Sequence, residues 1–187
     1  MKQLNDDPHV LKVFTRGNGA PVVLLHGQVY THHYMSDVTK ILAKKRRAYS
    51  FDLLGFGDSP RPKNATYSLN QHPESIHMTL QSSDIAVPFM LVGHSMGAQL
   101  ALAFAKKYSH LVSSIVAVGL PLCESKENAY KQIVALNPQY AWLVKIKQGG
   151  LLRFLPWLAE APLGLLSVLF NRGTFSAHIA RDAVRTN

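Results

Sequence analysis

Short apolar runs separated by polar, glycine-marked links open the chain. Val10 to Phe14 and Val22 to Leu25 flank Arg16-Gly17-Asn18-Gly19-Ala20-Pro21, a turn-rich link that predicts a hairpin-like pair of strands. Met35, Val38, Ile41 and Leu42 then follow helical spacing, with Ser36 or Asp37 placed to cap the helix start. Ala48 to Phe51 reads as a third strand running into Asp52 and a glycine-bearing loop. Pro60 to Thr66 is a polar, proline-marked loop, followed by a weakly periodic helical segment from about Leu69 to Gln81. Pro88 introduces a strand over Phe89 to Val92. The Ala- and Leu-rich stretch Gly97 to Tyr108 predicts a helix whose Lys106-Lys107 end complements its dipole, and Ser114 to Val118 predicts a buried strand of β-branched residues.

Strands alternating with helices predict an α/β fold, a mainly parallel, doubly wound sheet covered on both faces. From Leu122 onward the pattern changes to helical stretches interrupted by Pro138, Gly149-Gly150, Pro156 and Pro162. The expected division is therefore residues 1–121, the N-terminal part of an α/β core, and residues 122–187, a helical cap or lid segment.

Composition narrows the class. With 187 residues, 47% of them hydrophobic and 17% charged, the chain can bury a core and is not a disordered tail. Cys123 is the only cysteine, so no internal disulfide can form, and it reads as a small buried hydrophobe rather than a nucleophile. A formal net charge of +9 raises nucleic acid and anionic surfaces as partners. The densest basic cluster, Lys40 with Lys44, Lys45, Arg46 and Arg47, ends a predicted helix without interleaved aromatic residues, so it reads as a solvated helix end, with no nucleic-acid partner expected.

The first ten residues carry two acids and no apolar stretch of the secretory kind, and the expected location is cytoplasmic. The most apolar window, Gly149 to Phe170, contains Arg153, Glu160, Pro156 and Pro162. It therefore lacks the run of about 18 apolar residues that a bilayer crossing needs. Its stretch 151–170 reads as lid, with weak contact to a membrane surface or lipid-like substrate as the alternative.

The sharpest chemical feature is Gly93-His94-Ser95-Met96-Gly97, set between the strand Phe89 to Val92 and the helix beginning near Gly97. A strand that turns abruptly into a helix needs small residues on either side, and such a turn holds a serine hydroxyl out at the sheet's C-terminal edge. There the helix N-terminus favours developing negative charge. The competing interpretation is a glycine-rich turn with an incidental serine. Two other turns weigh against it: His26-Gly27 closes the strand Val22 to Leu25, and Asp52-Leu53-Leu54-Gly55-Phe56-Gly57-Asp58-Ser59 closes the strand Ala48 to Phe51. All three fall at C-terminal strand ends, where open α/β sheets place their ligands.

In these motifs, their order and their spacing, the chain from about Val10 to Pro121 resembles the α/β-hydrolase family in its serine-nucleophile branch. The resemblance implies that Ser95 is the nucleophile and that the backbone N–H groups of Met96 and Gln28 form an oxyanion hole. It implies hydrolysis of a small-molecule carboxylic ester, thioester or related acyl substrate through an acyl-enzyme, with no cofactor. Relatives resembling haloalkane dehalogenases and epoxide hydrolases carry an aspartate at the elbow, so a serine there disfavours those reactions. By the same resemblance His26 holds the oxyanion loop by hydrogen bonding, His94 packs beneath the elbow or lines the pocket, and Gly27, Gly93 and Gly97 complete the motif. Asp52 and Asp58 lie in a loop the family uses structurally.

A serine hydroxyl needs a positioned base, and in this fold the chain order is Ser, then Asp or Glu, then His. Downstream of Ser95 the histidines are His110 and His178, and the acids are Glu124, Glu127, Glu160 and Asp182. His110 is expected toward the opposite edge of the sheet. His178 remains as a candidate base and Glu124 as a candidate acid. The favoured expectation is instead that the chain stops inside the cap, with the last strands, the acid and the histidine beyond Asn187.

Two functions stay open: a serine hydrolase, and a truncated or degenerate hydrolase that binds ligand without turnover. An acyltransferase or perhydrolase on the same scaffold is a further alternative. No histidine or cysteine cluster has metal-ligand spacing, and His32-His33 are adjacent rather than on one helical face, so no metal is expected.

Overall fold

A computed structural model describes residues 9–122 together with Asn128 and Lys131. The expectations placed on Cys123, Glu124, His178 and the 151–170 stretch lie outside the described residues, as does nearly all of the cap segment. The described elements are β1 (Val13–Arg16), β2 (Ala20–Leu25), α1 (Ser36–Leu42), β3 (Arg46–Phe51), α2 (Gln71–Gln81), β4 (Phe89–His94), α3 (Met96–Lys107) and β5 (Val112–Val118). They form one five-stranded sheet in the order β1-β3-β2-β4-β5. β1 runs antiparallel to β3 and every other neighbouring pair is parallel, so the expected α/β architecture is present.

The expected hairpin of the first two strands does not form. β3 inserts between them, pairing Val13 with Phe51 on one side and Leu25 with Phe51 on the other. The link carrying Gly17 and Gly19 instead passes directly against the backbone of Ala43, Lys45 and Arg46, where a side chain would collide. Pairing with Ala20 and Pro21 also starts β3 at Arg46, two residues before its apolar run. Arg46 and Arg47 are therefore strand residues, and the basic cluster is not simply a helix end.

The strand period of two sends alternate residues to opposite layers. Val23, Leu25, Tyr49, Phe51, Phe89 and Leu91 join Ile76 and Leu80 of α2 and Leu100 and Phe104 of α3 in the larger core. Val22, Leu24, Ala48 and Val92 face the other way, toward Met35 and Leu42. Thr39 of α1 fastens this second layer through its hydroxyl, 2.7 Å from that of Ser50. Each fully buried Phe or Leu of this kind contributes about 1.5–3 kcal/mol by leaving water.

Two further expectations are corrected. Neither Ser36 nor Asp37 caps α1; the cap sits one 3₁₀ turn earlier, where the Thr31 hydroxyl accepts the His33 N–H at 3.3 Å. β5 is not buried: Ile115 packs on the core, but Val116 and Val118 are 42% and 50% exposed. The reason is position, since β5 pairs with β4 alone among the described strands and α1 covers β3 rather than β5. Among the described residues no helix is long and apolar enough to cross a membrane.

Candidate active site

The β4-to-α3 turn is built around an unusual backbone. Ser95 has φ 54° and ψ −116°, a conformation that strains a residue with a side chain by about 1–3 kcal/mol. Surrounding bonds hold it there: the Ser95 N–H donates to the Val118 carbonyl at 2.9 Å, and the Ser95 carbonyl accepts the N–H groups of Ala98 and Gln99 at 3.0 and 3.3 Å. The flanking glycines are required by close approach. A Cβ on Gly93 would fall on the Gly97 backbone, and one on Gly97 would strike the carbonyls of Leu25 and His26. The helix thus begins immediately beneath Ser95, with its first N–H groups lacking intrahelical acceptors.

The loop after β2 presses against this turn. A Cβ on Gly27 would lie 3.3 Å from Ser95 Cβ and 3.1 Å from His94 Nδ1. Gln28 follows, exposed, and Val29 adopts φ 60°, a left-handed conformation costly for a β-branched residue. His26 anchors the loop. Its Nδ1–H donates to the Gly27 carbonyl at 2.7 Å and its Nε2 accepts the Leu53 N–H at 3.0 Å. Complete burial lowers its pKa to about 4, against the opposing pull of the Gly27 carbonyl and the Asp52 charge. The imidazole is neutral at pH 7 with both nitrogens engaged, an anchor rather than a proton carrier.

Asp52, at the end of β3, is fully buried. Its Oδ1 accepts the His32 N–H at 2.6 Å and faces His32 Nδ1 at 3.0 Å, while Oδ2 accepts the Asp58 N–H at 2.9 Å. Burial alone would raise this carboxyl, but the bonds from His32 and Asp58 outweigh it and hold the pKa below the usual carboxylate range. Asp52 therefore ties two loops together. His32 has this role unannounced by any motif, because its partner lies 20 residues away in sequence.

His94 lies beside the turn, its ring 5.0 Å from that of Tyr34 and 6.3 Å from that of Tyr30. The two tyrosines stack on each other at 4.1 Å. Among the described residues His94 Nδ1 is buried with no hydrogen-bond partner, and burial lowers the pKa of the ring. Tyr30 and Tyr34 were not singled out by the motifs; the density of aromatic residues just after His26-Gly27 is the signal that marks them.

His26, Gly27, Gln28, Gly93, His94, Ser95, Met96 and Gly97 thus meet at one edge of the sheet. His110 does not join them. It lies in a 3₁₀ turn before β5, and β5 starts opposite Phe89 whereas its far end is opposite His94. Among the described residues the Ser95 hydroxyl makes no hydrogen bond, and no group of three potential metal ligands gathers.

Comparison with known proteins gives a consistent pattern. A family model described as alpha/beta hydrolase fold matches residues 20–159. The chain is 34% identical over 102 residues to the "Probable lysophospholipase BODYGUARD 4" of Arabidopsis thaliana, covering 54% of this chain and 24% of that protein. It is 30% identical over 148 residues to "Lipase 3" of Moraxella sp. (strain TA144), covering 65% of this chain and 46% of the lipase. Among solved structures, a serine hydrolase involved in carbazole degradation (CarC enzyme) superposes with a TM-score of 0.58 at 25% identity, over 67% of this chain and 52% of that one. The chain spans less than half the length of the two curated relatives.

Proposed function

The chain belongs to the alpha/beta hydrolase fold family, and on that premise we propose that it carries the nucleophile and oxyanion hole of a serine hydrolase acting on a lipid-like carboxylic ester or related acyl substrate. A histidine downstream of Ser95, as the family's chain order requires, takes the Oγ proton as Ser95 attacks the acyl carbonyl, and the N–H groups of Met96 and Gln28 receive the developing oxyanion. Collapse expels the alcohol, which takes that proton from the histidine, and leaves an acyl-enzyme on Ser95, which water activated by the same base then hydrolyses. The loss of one such preorganised donor typically slows acyl transfer by about 10² to 10³.

The observation that carries this reading is the strained Ser95 backbone at a strand-to-helix turn, with Gly27 of the neighbouring loop packed against it. The lysophospholipase and lipase names among the relatives support a lipid-like acyl group, and the tyrosine pair beside His94 supplies an apolar flank for one. Residues 122–187 are assigned as the lid that would shape the rest of the pocket.

The test is covalent. A long-chain alkyl fluorophosphonate is expected to add one phosphonyl group to Ser95, read by intact mass and peptide mapping, and Ser95→Ala is expected to abolish the adduct. An adduct that maps to another residue, or that survives Ser95→Ala, sinks the proposal. A folded chain that takes no adduct favours the other function left open by the sequence, a ligand binder without turnover.

A further inference from the structure

Away from the Ser95 edge, the structure gathers cations from three elements that the sequence keeps apart. Arg46 opens β3 on the face that α1 covers, Lys44 and Lys45 form the turn before it, and Arg16 ends β1 in register with Ala48, whereas Arg47 stands on the opposite face, 5.5 Å from the Tyr49 ring. These lie at the end of the sheet where β3 begins, whereas Ser95 follows the C-terminal end of β4, parallel to it through β2. Between Ser36 and Phe51 the only carboxylate is Asp37, and it is occupied by Lys40 at 2.9 Å.

Two large apolar side chains are exposed on the helix that leads into this turn. Val38 and Ile41 of α1 are 43% and 66% exposed. Three residues apart, they share one helical face, and Lys44 and Lys45 follow Ile41 by three and four positions. A purely solvated face gains nothing from an exposed isoleucine, and a nucleic-acid backbone has no place for it. An anionic bilayer accepts both kinds of group, apolar side chains entering the headgroup boundary while lysine and arginine neutralise lipid phosphates.

We propose that the exposed face of α1, the turn after it and the adjoining ends of β1 and β3 is a docking surface for an anionic phospholipid membrane. Contact there leaves the Ser95 edge free of the bilayer, so docking is independent of the chemistry proposed above.

Vesicle co-sedimentation of the full chain tests it, with phosphatidylcholine vesicles compared with vesicles that also contain phosphatidylserine. The chain is expected to sediment with the mixed vesicles alone, and to dissociate as NaCl rises from about 0.1 M to about 0.5 M and screening shortens. Each lysine near such a surface strengthens binding about fivefold, so Lys44→Ser with Lys45→Ser should weaken partitioning about 25-fold. Ile41→Ser should weaken it by a factor that salt does not change, and Ser95→Ala should leave it unaltered. The four substituted positions in these three variants are exposed or non-core, and an unchanged thermal midpoint verifies the fold. Equal binding to neutral vesicles overturns the proposal. So does full binding by the double lysine variant, which would place the contact elsewhere, or tighter binding to an RNA oligonucleotide than to the mixed vesicles.

Discussion

His26 and Leu53 are joined through the imidazole, whose Nε2 accepts the Leu53 N–H at 3.0 Å and so couples the end of β2 to the loop after β3. The bond requires Nε2 to be unprotonated. It therefore makes the loop beside Ser95 sensitive to acid in a definite direction. The His26 pKa is about 4 in the fold, lowered mainly by burial, against 6.5 for an unperturbed imidazole. Below pH 6.5 the unfolded chain binds a proton that the folded chain refuses, so stability is fully present above pH 6.5 and falls until pH reaches about 4.

A shift of that size corresponds to about 3 kcal/mol lost between pH 7 and pH 4. Urea unfolding at several pH values should show the decline. His26→Asn should flatten it while lowering stability at pH 7 by about 2 kcal/mol, because the Leu53 N–H loses its buried acceptor. A decline of unchanged size in His26→Asn would refute the assignment. His72 and His94, also lowered by burial, act in the same sense and account for any residual slope.

Gly97 offers a sharper test of the elbow. Its missing side chain allows α3 to lie against the carbonyls of Leu25 and His26, and backbone atoms cannot step aside as a flexible side chain would. Gly97→Ala is expected to cost more than about 3 kcal/mol, the upper range of overpacking. In ordinary helix positions the preference is reversed, and Ala103→Gly on the same helix should cost about 1 kcal/mol through propensity. Urea midpoints of the two variants should differ accordingly. A stable Gly97→Ala protein would remove the close contact on which the elbow geometry rests.

Gly93 also shows why part of the molecule was legible from its sequence. It acts on Gly97 and Ala98, a few positions away, and β2 and β4 are apolar runs because both their faces are covered. Local chemistry of that kind is written in order along the chain. The pairing of β1 with β3 is not, because which strand inserts beside which is settled by long-range packing after each strand's own pattern is satisfied. The burial of β5 failed for a related reason: β-branched residues suit a strand at an edge as well as one in the middle. The His32 contact with Asp52 was invisible because each residue, taken alone, reads as part of a polar loop.

Asp52 is the acceptor for three hydrogen-bonding groups at once, two on His32 and one on Asp58. An amide in its place turns one acceptor oxygen into a donor that must face a backbone N–H. Asp52→Asn is therefore expected to destabilise by about 2–3 kcal/mol at neutral pH, a buried donor being left unmatched. The carboxyl pKa lies below its usual value, so its contribution is present above about pH 3.9 and is lost as pH falls through the lower folded value. The deficit of the variant should be the same at pH 7 and pH 5, and should shrink only in stronger acid. Urea titrations at those pH values check both parts, and a deficit that vanishes by pH 5 would argue that the carboxylate is not held by these bonds.

Val29 sits directly after Gln28 with φ 60°, where a β-branched side chain is held against its preference. Left-handed backbone of this kind costs about 1–2 kcal/mol, and glycine adopts it freely. Glycine also gives the unfolded chain more freedom to lose, worth about 0.5–1 kcal/mol in the other direction. Val29→Gly is thus expected to stabilise by about 0.5–1 kcal/mol, a rise of about 1–4 °C in thermal midpoint for a chain of this size. The same change should slow phosphonylation of Ser95, because the proposed Gln28 donor is then carried on a looser loop and must be ordered when the oxyanion forms. Stability and reactivity moving in opposite directions would identify the strain at Val29 as what holds the donor in place. A variant that is faster as well as more stable would show that the loop reaches its working geometry without it.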